Sequence, residues 1–241
     1  MERQCFINLL CKTFEENEME DLLDDNSAEL LYRFAGLLVE TDEHTNLTAI
    51  TDEKGIILKH FADSAAISRY IPQGASVLDV GCGAGFPSVP LAIIRRDLAV
   101  TSLDSTGKKI DFVLLAKGKL GIDNLNAVCA RAEEYVEQNR ETYYVCTSRA
   151  VARLNILSEL CVPFVKVGGL FVAMKSDKGA EEAAEAEEGI KKLGATSTET
   201  RAYRLICEEM AIDREIRIYN KISSTPRQYP RKYSQILKKP L

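Results

Sequence analysis

Residues 76–87 read SVLDVGCGAGFP, and the rest of the chain is best understood from them outward. SVLDV (76–80) is short and almost continuously apolar, the pattern of a strand covered on both faces. Gly81, Gly83 and Gly85 then follow at alternate positions, before a helix around Ser88. Glycines at a strand end let the backbone turn sharply and approach a ligand closely. Such a loop can also be a purely structural turn.

Beyond this loop, apolar β-rich runs alternate with helical patterns. The runs are LAVTSLD (98–104), NLNAVC (124–129), YYVCTS (143–148) and GLFVAMK (169–175). Helices are predicted between them, over 106–118 and 178–193, the second with Glu181, Glu182, Glu185 and Glu188 largely on a solvated face. This alternation predicts an α/β fold with a doubly wound sheet of five parallel strands. YRLIC (203–207) and EIRIYNKI (215–222) have no helix-length spacer between them and predict an antiparallel hairpin closing one edge. The first 75 residues carry helical periodicity: Ser27 is positioned to cap one helix and Thr51 begins another. Three regions follow: an N-terminal helical extension (1–75), a core (76–222) and a basic tail (223–241) packed on or near that core.

Composition narrows the function classes. The chain has 241 residues, 46% of them hydrophobic and 28% charged, which excludes collagenous and wholly disordered readings. No apolar run is long enough to cross a bilayer, and the acidic N-terminus is unlike a signal peptide, so a cytoplasmic protein without membrane contact is expected. Seven scattered cysteines without a C-x-x-C pair, and only two histidines, argue against disulfide frameworks, metal sites and covalent triads. The net charge of −5 is unevenly spread: residues 221–241 carry six bases and no acid. The other 220 residues therefore hold 25 bases against 36 acids, or −11. Such a chain can offer one basic face to a polyanion while the rest repels it; a simply solvated tail is the alternative.

The G-x-G-x-G spacing departs from the dinucleotide fingerprint, because position 86 is Phe where a third glycine is required. Pro87 also removes an amide from the helix start, where a pyrophosphate would bind. A ligand with an amino-acid end and a nucleoside end suits this loop better, and S-adenosylmethionine fits that description. Asp104, at the end of the second strand, can accept hydrogen bonds from ribose hydroxyls or cap the next helix. Ala130–Glu134 follows the third strand and can reach an adenine. Arg149 ends the fourth strand, which should neighbour the first, and so belongs beside the glycine loop.

Taken in order, NLTAI (46–50), KHFADS (59–64), LDVGCGAGFPSVPLAI (78–93), LDSTGKKIDF (103–112), RAEE (131–134), TSRAVARL (147–154), FVAMK (171–175) and TPRQYPRK (225–232) resemble a known family. It is the bacterial RsmG (GidB) family of small-subunit ribosomal RNA guanine-N7 methyltransferases, and the resemblance spans residues 30–241. It implies a class I methyltransferase (Rossmann-like) fold, S-adenosylmethionine as methyl donor with S-adenosylhomocysteine as product, no metal, and 16S ribosomal RNA or the small subunit as partner. DNA and membrane partners are not expected, and a monomer is. The implied cofactor contacts are Gly81, Phe86, Ala132, Glu133 and Arg149, joined by Gly83, Gly85 and Asp104 from the loop and ribose arguments. Arg131 and Arg149 match arginines the family needs for activity. Cys82 stands where relatives have Ser, Ser88 where they have Gly, and Tyr144 where Asp is common; the tail at 233–237 lacks a usual Gly-Pro turn.

Guanine N7 carries an exposed lone pair and needs no deprotonation before attacking a methyl group, so no general base is expected. Arg131 and Arg149 are assigned to positioning. Asn46, Lys59 and His60 are candidates at the rim, and Arg227, Arg231, Lys232, Lys238 and Lys239 for phosphate contact; a packed helix residue is the alternative for His60. Truncation after Ile222 is expected to spare cofactor binding and weaken RNA methylation. A small-molecule methyltransferase has no use for a basic tail, a nicotinamide enzyme needs a glycine at 86, and an assembly factor shows no methyl turnover.

Overall fold

The computed structural model describes residues 2–149, 152–175 and 179–241. Two N-terminal helices, α1 (Arg3–Glu16) and α2 (Asp25–Thr45), precede a third helical stretch, α3 (53–65), whose middle, Ile56–Ala62, is wound as a π-helix. β1 (Ser76–Val80), α4 (Ser88–Ile94), β2 (Ala99–Asp104), α5 (Gly107–Leu120), β3 (Leu125–Cys129), α6 (Ala132–Asn139) and β4 (Tyr143–Arg149) follow. The chain then forms α7 (Leu154–Cys161), β5 (Val165–Lys175), α8 (Gly179–Lys192), β6 (Ala195–Cys207), β7 (Met210–Lys221) and α9 (Tyr233–Lys238).

The seven strands lie in the order β3-β2-β1-β4-β5-β7-β6. The first five are parallel, and β7 pairs antiparallel with both β5 and β6. The chain reverses direction across the sheet between β1 and β4, the place where open α/β sheets bind ligands at the strands' carboxyl ends. One face packs on the N-terminal helices: Phe34 stacks on Phe61 and Phe112 and tilts on Phe86, joining α2, α3, α5 and the glycine loop in one core. The other face holds Leu78, Leu157, Phe164, Phe171 and Ile190.

Several local expectations change. The hairpin is much longer than YRLIC and EIRIYNKI, because Ala195–Tyr203 continues β6 as a polar edge strand whose alternation the apolar pattern does not report. Asp24, not Ser27, caps α2: its carboxylate accepts the Ser27 amide at 2.6 Å, while Ser27 Oγ accepts the Asp24 amide at 2.8 Å. Ser27 is thus the inner half of a capping box, an arrangement worth about 1 kcal/mol. Asp52 rather than Thr51 caps α3, through the Gly55 amide at 2.7 Å. Glu182 is half-buried and bonds to Lys175, so it is not part of the outward acidic face. The start of the predicted helix at Lys178, and Ala150 and Val151 of the SRAVA motif, lie outside the described residues. No helix among the described residues is long and apolar enough to cross a membrane.

Candidate active site

The glycine loop is held by backbone bonds from β2. The Leu103 carbonyl accepts the Gly81 and Cys82 amides at 2.7 and 3.1 Å, and Asp104 Oδ2 accepts the Gly83 amide at 3.0 Å. Asp104 Oδ1 accepts the Thr106 amide at 2.9 Å; Thr106 itself is the N-cap of α5 and no side chain caps that helix, so Asp104 braces the loop before α5 rather than capping it. The three glycines do different work. All have positive φ, but a Cβ on Gly83 would meet nothing within 4 Å, whereas one on Gly85 would lie 2.4 Å from Val89 Cγ2. Gly85 is buried against α4, away from the cavity that Gly81 and Gly83 line, and so it serves packing. Below the loop, buried Asp79 accepts the Ser88 amide at 3.1 Å, and Ser88 Oγ meets Ser102 Oγ at 2.7 Å, a bond that a glycine at 88 would lack. Burial pushes the Asp79 carboxyl up to about 7 and Cys82 well above its usual range, so Cys82 is a packed thiol rather than a nucleophile.

The loop opens into a cavity of about 510 Å³. Gly81, Gly83, Phe86, Asp104, Arg131, Ala132, Glu133, Arg149 and His60 all border it. So do Thr48, Lys109, Leu160 and Tyr233, which the sequence reading passed over. Thr48 sits in the NLTAI motif, whose other polar member, Asn46, is the more obvious candidate for a contact. Asn46 instead caps α2 in the left-handed conformation (φ 51°) and is exposed.

Arg149 forms the wall at the switch point. Its Nη1 donates to the Lys59 carbonyl at 2.6 Å and to Asp63 Oδ2 at 3.0 Å, and its guanidinium lies 5.3 Å from the Phe86 ring centre. His60 stacks on Phe86 at 4.1 Å, 9° from parallel. Burial and the adjacent Arg149 push His60 down to about 3, so the ring is neutral. Arginine can only donate, so His60 Nδ1 accepts from Arg149 Nη2 at 3.2 Å and Nε2–H donates to Thr48 Oγ1 at 3.0 Å. Thr48 Oγ1 also accepts the Ile50 amide at 3.1 Å, which leaves its own proton to be donated at the cavity wall. His60 is therefore a packed residue that also orders the wall. Lys59 lines an adjoining cavity together with His60 and Arg149.

The tail splits into two sets of bases. Arg231 turns inward: Nε and Nη2 bond the fully buried Glu159 of α7 at 2.8 and 2.5 Å, and its amide adds a third bond at 2.8 Å. Lys221 is likewise buried, against Glu141 at 3.0 Å. Arg227, Lys232, Lys238 and Lys239 are exposed. Arg231 is thus committed to Glu159, and the phosphate-contact expectation is left with the other four. The tail also carries Tyr233 to the cavity, so truncation after Ile222 would strip the site and unpair Glu159 as well as remove charge. Tyr144 packs its ring beneath the Lys166 ammonium at 4.7 Å.

A doubly wound parallel sheet with an antiparallel final hairpin, and a cavity at a glycine loop after β1, define a class I methyltransferase fold. Solved structures share it: TYW2 of M. jannaschii in complex with AdoMet superposes with a TM-score of 0.55 at 11% identity, over 67% of this chain and 75% of that one. The YcgJ protein from Bacillus gives 0.52 at 12% identity, over 68% of this chain and all of that one. Residues 27–210 match the family model described as rRNA small subunit methyltransferase G (GidB). Curated proteins with the corresponding name are 44% identical in Lysinibacillus sphaericus (strain C3-41), over 96% of each chain, and 44% identical in Staphylococcus haemolyticus (strain JCSC1435), over 98% of each. The chain belongs to the rRNA small subunit methyltransferase G family.

Proposed function

We propose that this protein transfers a methyl group from S-adenosylmethionine to N7 of one guanine in 16S ribosomal RNA. The observation that carries the reading is the cavity at the switch point, where the Gly81–Gly83 turn, the Asp104 carboxylate and the first residues of α6, Ala132 and Glu133, converge. These residues fit the donor in chemistry as well as in size. Asp104 has both oxygens held by backbone amides, which leaves lone pairs for ribose hydroxyls, and Gly83 leaves open space above the turn. S-adenosylmethionine, when bound, supplies an electrophilic methyl carbon on a sulfonium.

The chain's part is positioning. The lone pair of guanine N7 reacts without losing a proton, so a neutral His60 is no handicap. Arg149 is immobilised by Lys59, Asp63 and His60, and fixes the wall along which the acceptor approaches. Arg131, exposed at the start of α6 and bordering the cavity, is available to hold phosphate or O6. Such orientation can supply about 7–11 kcal/mol of a barrier. Arg227, Lys232, Lys238 and Lys239 offer a small basic surface, in keeping with a loop or particle site rather than bulk RNA.

The test is label transfer from S-adenosylmethionine to small subunits, free 16S RNA or buffer, with wild type and Asp104→Ala. Label in RNA, together with a raised cofactor Kd in the variant, is expected. Wild-type protein that labels no RNA would contradict the proposal.

A further inference from the structure

A second cavity, of about 490 Å³, adjoins the first through His60 and Arg149, which line both. It lies beyond the carboxyl ends of β4 and β5, with Ile50 and Met174 as apolar wall and Lys59, Asp63, Lys175, Glu182 and Arg214 as charged wall. Both Asp63 oxygens are taken, by Arg149, Tyr203 and Arg214. Both cavities fall within the size range of small-molecule sites. Arg214 Nε, at 3.2 Å from Asp63 Oδ1, and Arg149, on Asp63 Oδ2, brace the partition from both sides.

Glu182 stands out in this wall. It borders the second cavity and not the first. The Lys175 ammonium at 2.7 Å and the Leu154 amide at 3.0 Å both bond Oε2. Oε1 has no partner among the described residues. Burial raises this carboxyl, but the Lys175 ammonium and the Leu154 amide outweigh it and hold it below its ordinary value. At neutral pH the group is an ionised acceptor with one oxygen uncommitted.

A guanine presents acceptors, N7 and O6, on one edge and donors, N1–H and the 2-amino group, on the opposite edge. We propose that the second cavity takes the acceptor guanine and that Glu182 selects it, Oε1 accepting from N1–H and the 2-amino group while N7 faces the partition shared with the first cavity. Adenine would set its N1 lone pair against the carboxylate and is rejected by repulsion as well as by a missing bond. Lys175 orients Glu182 through Oε2, and Ile50 and Met174 flank the base. This assignment rests on reading the chain as a guanine-N7 methyltransferase, and nothing in it depends on the basic tail.

The test uses the full chain and small subunits reconstituted with RNA that carries guanosine or inosine at the methylated position, mapped beforehand with wild type. Inosine keeps N7, O6 and N1–H and lacks only the 2-amino group. A hydrogen bond to a charged partner is worth about 1.5–3 kcal/mol, so wild type is expected to methylate the inosine subunits at least ~10-fold more slowly. Glu182→Gln, isosteric and uncharged, is expected to bring the two substrates within about twofold while its affinity for S-adenosylhomocysteine stays at the wild-type value. The ratio of the two rates is independent of how much variant is folded, so loss of stability cannot imitate the result. A guanosine preference that survives in Glu182→Gln overturns the proposal, as does a wild type indifferent to inosine. Failure to methylate either RNA at N7 instead overturns the underlying functional reading.

Discussion

Replacing Arg231 by alanine separates two roles that a basic residue in a basic tail can have. The side chain makes two bonds to Glu159, at 2.8 and 2.5 Å, and the carboxylate is fully buried while Arg231 remains about a quarter exposed. Breaking a buried pair by removing one partner costs about 3–5 kcal/mol, because the survivor is left charged and unpaired. Two features reduce that here: the Arg231 amide still donates to Glu159 at 2.8 Å, and water reaches the arginine side. A loss of about 2–3 kcal/mol is therefore expected, which for a chain of this length lowers Tm by roughly 4–12 °C. Thermal and urea unfolding of Arg231→Ala, Glu159→Leu and the double variant measure it. The double variant is expected to recover much of the loss, since apolar replacement of both partners removes the stranded charge. Unchanged stability in Arg231→Ala, with weaker methylation and a shallower salt dependence, would refute this and return Arg231 to the RNA surface.

Gly85→Ala is expected to destabilise the fold strongly, through the 2.4 Å approach to Val89, whereas Gly83→Ala costs only about 1–2 kcal/mol of left-handed backbone strain and shows its effect in cofactor Kd; denaturation and calorimetry together read both. Asp79, raised to about 7 by burial, keeps a proton that the unfolded chain has released above about pH 4, so its burden on stability grows between pH 4 and 7. The stability of Asp79→Asn relative to wild type should accordingly rise across that interval and level off above it, and a gap independent of pH in urea titrations would oppose the assignment. Replacing Lys232, Lys238 and Lys239 with Gln should leave Tm unchanged and flatten the salt dependence of RNA methylation, by about one unit of log–log slope for each phosphate that the variant no longer neutralises.

The parallel sheet, the β1–β4 neighbourhood and the ligand-binding edge are legible in the sequence because SVLDV, AVTSLD and YYVCTS are short, largely apolar runs punctuated by helices; the full strand order, with β7 lying between β5 and β6, is not. Nor is the Ala195–Tyr203 half of β6, since an edge strand with a wet face has little apolar signal to offer. Within the site, glycine spacing located the turn but could not separate Gly83, which faces open space, from Gly85, which packs on Val89. Arg231 and Glu159 lie 72 residues apart, and Glu182 reads in sequence like its acidic neighbours. Pairings of that kind depend on how the tail and α8 dock on the sheet, and no local periodicity encodes them.

The central claim concerns one atom of one base. Small subunits methylated with labelled S-adenosylmethionine should, after borohydride reduction and aniline treatment, break at a single position in 16S RNA, and their nucleoside digest should carry the label in 7-methylguanosine. Label recovered in any other methylated nucleoside, or RNA that stays intact under aniline, would contradict it.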